Sequence, residues 1–250
     1  MLELFSYSLS SLEIAILIIS AVCIGMGKTG VPGAGMIAVP LIVIIFSSKA
    51  STGIVLPLLI FADLFAVYHY SQYANWKHLR QLLPLTLLGV ITASVIGVYI
   101  DDTVFRNIMG MTIFIVLGLM VWQEGNPNPS TPNSLWFIIA IGIAGGFTTM
   151  IGNLAGPVIG LYLLAMRFPK KEFIGTGAWY FLTVNLFKVP FHIFTWNTIT
   201  LNSFLLDLAL LPAIALGALI GVKAMSLIKE KTFRYLVISI TFIAAIGMFL

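Results

Sequence analysis

Asp63, Asn185, Lys188 and His192 stand in apolar surroundings where polar chemistry is conspicuous. Asp63 lies near the middle of one long apolar segment and Asn185 at the matching place in another. Tyr70 follows Asp63 by seven residues and His192 follows Asn185 by seven, so each pair shares a helix face, with Lys188 on the second stripe. An ionisable side chain at membrane depth costs at least about 2.5–3.5 kcal/mol, which makes function the first hypothesis. The chemistry on offer is attraction of an anion to Lys188, or proton uptake at Asp63 or His192. A purely structural Asp63–Lys188 ion pair is the competing reading. Both stay open at this level.

Two glycine-rich breaks supply the other candidates. Gly30-Val31-Pro32-Gly33-Ala34-Gly35 runs on to Pro40, and Thr148-Thr149-Met150-Ile151-Gly152-Asn153 runs on to Pro157. Aligning their shared Gly-x-x-x-x-Pro sets Gly35 against Gly152 at a shift of 117; Gly53 meets Gly175 and Asp63 meets Asn185 at 122; Phe105-Arg106 meets Phe233-Arg234 at 128. A helix broken within the membrane presents unpaired N–H groups at its new N-terminus, worth about half a positive charge, and glycine lets a ligand approach that backbone. Thr29, Thr148, Thr149 and Asn153 add side-chain donors suited to a tetrahedral oxyanion. The candidate anion site is therefore Lys28, Thr29, Gly30, Gly33, Gly35, Asp63, Tyr70, Thr148, Thr149, Gly152, Asn153, Asn185, Lys188 and His192. The plainer alternative is that these glycines let helices pack closely. Lys28 likewise has two readings, a cation for the anion or a lysine reaching to the interface.

Gly25-Met26-Gly27-Lys28-Thr29-Gly30 matches Gly-x-Gly-x-x-Gly formally, but the preceding run is of helix length and no acid follows before Asp63. A phosphate loop would need glycine where Val22 stands. Nucleotide binding is excluded on context. No metal-ligand cluster, nucleophile elbow or cofactor motif is present, and Cys23 and His192 form no catalytic pair by spacing. The expectation is a protein without catalytic residues, metal or cofactor.

The elements that must position these residues are membrane helices. The chain is 60% hydrophobic and 9% charged, with mean hydropathy +1.06, against roughly 25% charged in soluble domains. Ten apolar segments are expected, at about 12–27, 33–46, 52–73, 79–99, 104–122, 134–150, 153–166, 173–195, 203–226 and 232–249. The segments at 33–46 and 153–166 are short of the roughly 17–25 residues a spanning helix needs, so they cross steeply or re-enter. Glu3 and Glu13 precede any basic residue, so the first helix is read as retained rather than as a cleaved signal. His69 is expected at an interface, and Asp207 and Asp101–Asp102 at helix ends in water.

Residues 123–134, rich in Pro and Asn, divide a first repeat, 1–122, from a second, 135–250. Nine of the 13 Lys and Arg fall in loops near 77–80, 167–172 and 223–234. The positive-inside rule then puts those loops and the 123–134 linker in the cytoplasm and both termini outside. The halves start on opposite sides. The expected fold is an all-α polytopic membrane protein of two inverted repeats, about five helical segments each, with broken or re-entrant helices at the repeat interface.

The glycine break followed by Pro, the later Ala50-x-x-Gly53, and the repetition of both after a central linker resemble the sulfite exporter TauE/SafE family of membrane permeases over about residues 20–250. The resemblance implies export of a small sulfur-containing anion such as sulfite, sulfoacetate or another organosulfonate across the inner membrane. Its partners are that anion and the lipid bilayer, not nucleic acid, with a homodimer left open. A cell interior negative by 100 mV favours outward movement of a monoanion by about 2.3 kcal/mol, so export needs no coupled ion for moderate gradients. An anion channel, or a permease for another carboxylate or inorganic anion, is the alternative.

Overall fold

The computed structural model describes residues 2–31, 34–101 and 135–229, together with isolated positions between 103 and 118 and between 232 and 239. The expected segments 104–122 and 232–249, the linker 123–134, and Pro32 and Gly33 lie outside the described residues. A short hairpin, β1 (Leu2–Leu4) and β2 (Tyr7–Leu9), opens the chain. Its turn residues Phe5 and Ser6 both have positive φ, 50° and 69°. That suits a tight hairpin but carries none of the Asn-Gly chemistry that would announce it.

Nine α-helices follow among the described residues. They are α1 (Ser11–Thr29), α2 (Ala34–Ile45), α3 (Ser48–Tyr70), α4 (Trp76–Tyr99), α5 (Leu135–Gly152), α6 (Ala155–Ala165), α7 (Lys170–Pro190), α8 (Leu201–Ala209) and α9 (Leu211–Leu227). A capping box starts α1: the Ser10 hydroxyl accepts from the Glu13 N–H, and Glu13 accepts from the Ser10 N–H at 2.7 Å. Four helices, α1, α3, α4 and α5, are long and apolar enough to cross a membrane, and a bent pair makes a fifth. The chain is an all-α polytopic membrane protein. Large apolar side chains such as Leu12, Ile44, Trp136 and Leu227 are exposed, as suits helices whose solvent is lipid.

Two expectations need correction. The segment at 203–226 is α8 and α9, which meet at Leu210 with a 48° bend. Pro212, in the first turn of α9, cannot continue a helix from α8, and that signal was present in the sequence. The glycine alignment is also shifted. The short helices start at Ala34 and Ala155, so Gly35 and Gly156 hold the same place, a spacing of 121. Gly152 instead ends α5.

The same packing device appears twice. Helix α1 lies against α9, and α4 lies against α5. In the first pair a Cβ on Gly25 would run into the Ile214 carbonyl and one on Gly217 into that of Val22. In the second, Gly89 faces the Ile143 carbonyl and Gly146 that of Thr86. Small residues allow this backbone-to-backbone approach, which the membrane rewards through van der Waals contact. Between these pairs α3 packs on α7, with Asp63, Asn185 and Lys188 all buried.

The basic loops meet at one end. Lys170 donates to the carbonyls of Met225 (3.2 Å) and Ile228 (2.7 Å). Asn75 donates to Glu172 at 2.6 Å, and His78 shares a 2.5 Å hydrogen bond with the Tyr162 hydroxyl of α6. At the other end Asn202 reaches Ser6 (3.3 Å), Lys49 donates to the Gly97 carbonyl (2.8 Å), and Trp196 donates to that of Ser94 (3.0 Å). Trp196 follows a π-helical turn, Phe191–Thr195, placed just after Pro190.

Candidate functional site

The second break shows how local sequence shapes the site. Asn153 adopts φ 57°, the left-handed region that asparagine tolerates better than most residues and that commonly ends a helix. Its N–H bonds the Thr149 carbonyl (3.0 Å), which closes α5 and lets the chain restart as α6 two residues on. In this pose its side chain joins two halves of the molecule. Nδ2 donates to the Thr52 carbonyl of α3 at 3.0 Å, and Oδ1 accepts from Lys188 at 2.5 Å.

Lys188 also donates to Thr149 (3.2 Å) and to the Asn185 amide oxygen (3.4 Å). Asn185 turns its amide N–H₂ to Asp63 at 2.7 Å. The other carboxylate oxygen of Asp63 meets Lys28 at 2.8 Å, and the Lys28 ammonium rests 3.9 Å from the centroid of the Phe181 ring. The Lys188 and Asp63 side chains are fully buried, and that of Lys28 is 14% exposed. The result is one continuous chain of contacts, Lys28–Asp63–Asn185–Lys188–Asn153, tying α1, α3, α7 and the α5–α6 break together.

Beside it lies a cavity of about 120 Å³. Lys28, Thr149, Asn153 and Asn185 form its polar wall, and Gly35 and Gly156, the second residues of α2 and α6, also line it. Both short helices thus begin at the cavity, and a helix N-terminus favours negative charge. The remaining wall is apolar and runs along α6 and α7 past Phe181 to Leu163 and Phe173, close to the basic end.

The structure brings together Lys28, Gly35, Asp63, Thr149, Asn153, Asn185 and Lys188. It separates the others. Thr29 gives its hydroxyl to the carbonyls of Gly25 and Ala218, both at 2.9 Å, and Gly30 presses on Gly221 of α9. These two are packing residues, as the alternative reading of the glycines had it. Thr148 bonds its own helix at the Ala144 carbonyl, 2.8 Å away. Tyr70 is buried at the far end of α3 against Gly175, off the cavity, and Gly152 is buried behind the wall. His192 is buried with Nδ1 on Thr198 (2.8 Å) and its ring against Trp196, toward the end away from the basic loops. Gly33 lies outside the described residues.

Three further expectations change. Asp63 pairs with Lys28, not Lys188, because Asn185 stands between them. Lys28 does not reach to an interface; its partner is inside. Asp207 does not meet water: it is fully buried, and among the described residues neither carboxylate oxygen has a hydrogen-bond partner. Sequence reasoning missed Gly27, Gly156, Gly160 and Phe181 on the cavity wall. The Gly156-x-x-x-Gly160 spacing was the signal available for two of them.

Apolar helices around a buried, charged cavity, with two short helices starting at it, define a multi-pass helical membrane protein with a polar cavity inside it. The sequence profile of the sulfite exporter TauE/SafE family matches residues 16–248 of the 250. The chain belongs to that family, a family of membrane transporters for sulfur anions such as sulfite. No curated protein and no solved structure matches the chain.

Proposed function

We propose that the protein exports a small sulfur-containing oxyanion, sulfite or an organosulfonate such as sulfoacetate, across the inner membrane by alternating access. The observation that carries this reading is a charge imbalance. Two buried lysines, Lys28 and Lys188, stand in a network with one carboxylate, Asp63, which only Lys28 contacts. Among the described residues of this network, lysines outnumber carboxylates two to one, in a region where charge is costly. A monoanion in the adjoining cavity is drawn to this excess at Lys28, with Thr149, Asn153 and Asn185 as polar neighbours and the starts of α2 and α6 beside it.

The paired packing of α1 on α9 and α4 on α5, and the shared spacing of α2 with α6, support two inverted repeats, 1–122 and 135–250, joined by a cytoplasmic linker. The gathering of the loops near 77, 170 and 228 at one end supports a cytoplasmic face there and outside termini.

Transport into vesicles loaded with purified protein, using sulfite, sulfoacetate, methanesulfonate and a carboxylate panel, tests the reading. Asn153→Gly is the sharper variant, because glycine keeps the left-handed backbone while removing the amide that meets Lys188. It is expected to weaken sulfonate binding about tenfold, the loss of one charge-assisted contact, with normal folding. Flux that does not saturate favours a channel. Selection of carboxylates over every sulfur anion refutes the substrate class.

A further inference from the structure

Among the described residues, Lys28 is the one cation that lines the cavity, and it is already engaged. Its ammonium meets Asp63 Oδ1 at 2.8 Å, while Asn185 holds the other carboxylate oxygen at 2.7 Å. An anion approaching Lys28 therefore also approaches a fixed negative charge. Around Asp63, α1 contributes Lys28 and α7 contributes Asn185 with Lys188 behind it. Asp207 sits on α8, which also packs on α3, and has no hydrogen-bond partner among the described residues.

We propose that Asp63 is a proton-binding site, and that the carboxylate must take up a proton for the anion to engage Lys28. The step balances simply: one proton from the solvent adds to the Asp63 carboxylate, the Lys28 ion pair becomes at most a hydrogen bond between the ammonium and a neutral carboxylic acid, and the ammonium turns to the incoming anion. The Asn185 amide remains bonded to the protonated group through the carboxyl oxygen that carries no proton. Net charge is the same before and after, since one anion and one proton arrive together. A monoanion so bound crosses without net charge, and its movement responds to the pH gradient rather than to the membrane potential. This deepens the anion-site reading and rests on it.

Linkage requires reciprocity: if a proton strengthens anion binding, the anion must draw in a proton. The test is calorimetry on the purified full-length protein with methanesulfonate and thiosulfate, whose own charges do not change across the neutral range. Titrations in two buffers of different ionisation enthalpy count protons taken up. About one proton per bound anion is expected, with affinity falling about tenfold per pH unit on the alkaline side of the Asp63 titration. In Asp63→Asn, uptake is expected to vanish and affinity to become independent of pH. Because Asp63→Asn strands Lys28, the wild-type proton count stands as a separate readout, and Lys28→Gln with Asp63→Asn gives a second proton-free variant. Binding by the wild type with no proton uptake overturns the linkage but leaves the anion site intact. Undiminished uptake in a folded Asp63→Asn protein overturns Asp63 as the acceptor. No binding of either probe overturns the anion site and the linkage with it.

Discussion

Removing the Asp63 charge should reveal which lysine it serves. Asp63→Asn keeps the size and the contact with Asn185 but leaves the Lys28 ammonium facing a neutral amide, 2.8 Å from where a carboxylate oxygen stood. Breaking one partner of a buried pair costs about 3–5 kcal/mol, and here Asp63 is fully buried and Lys28 nearly so. At about 2–4 °C per kcal/mol for a chain of this size, the expected fall in melting temperature is roughly 6–20 °C. Adding Lys28→Met removes the stranded charge and should recover most of that loss. Adding Lys188→Met should not, since Lys188 is held by Thr149, Asn153 and Asn185 rather than by the carboxylate. Thermal unfolding of the purified variants in detergent, followed by tryptophan fluorescence, measures all four proteins. Equal rescue by either lysine, or an Asp63→Asn protein as stable as the parent, refutes the pairing.

Asp207→Asn should hold or raise stability, by up to about 1–3 kcal/mol, because the native carboxylate is buried with no hydrogen-bond partner among the described residues; a clear loss in a denaturation series would contradict this. Gly217→Leu should weaken α1–α9 packing by about 1–3 kcal/mol, as its Cβ meets the Val22 carbonyl, whereas Leu219→Ala on the exposed face of α9 should change little in the same assay. On a Cys23→Ser background, single cysteines at Asn128 and Asn202 should react with impermeant thiol reagents only from the cytoplasm and only from outside, respectively. The opposite pattern refutes the assigned topology.

Much of this arrangement is written locally. Glycine breaks, Pro and Asn placed α1, α2, α5 and α6 to within two or three residues, because helix ends depend on neighbouring backbone chemistry. The stripe Asn185–Lys188 was legible from helical spacing alone, and those residues do share the buried network. Partner choice was not. Whether Asp63 meets Lys28 or Lys188 depends on how α1 and α7 rotate against α3, which no periodicity encodes. The same limit hid the burial of Asp207: a position near a helix end is solvated only if nothing covers it, and the bend at Leu210 lies just beyond it. Thr29 and Gly30 show the converse, residues of suitable chemistry turned to a neighbouring helix instead of the cavity.

Helix α7 poses a problem of biogenesis. It holds Asn185 and Lys188, and it is not among the helices apolar enough to cross a membrane unaided. A lysine in a lone segment opposes release into lipid, by up to about 2.5–3.5 kcal/mol at the membrane centre, and Lys188 lies in the last turn of α7. Among the described residues, the side-chain partners of this network outside α7 come earlier in the chain: Lys28 and Asp63 from the first helices, Thr149 and Asn153 from the α5–α6 break. As synthesis proceeds from the N-terminus, those partners emerge before α7 does. The segment that completes the polar core therefore enters the bilayer on a surface already prepared for it, and order of synthesis becomes part of how the fold is reached.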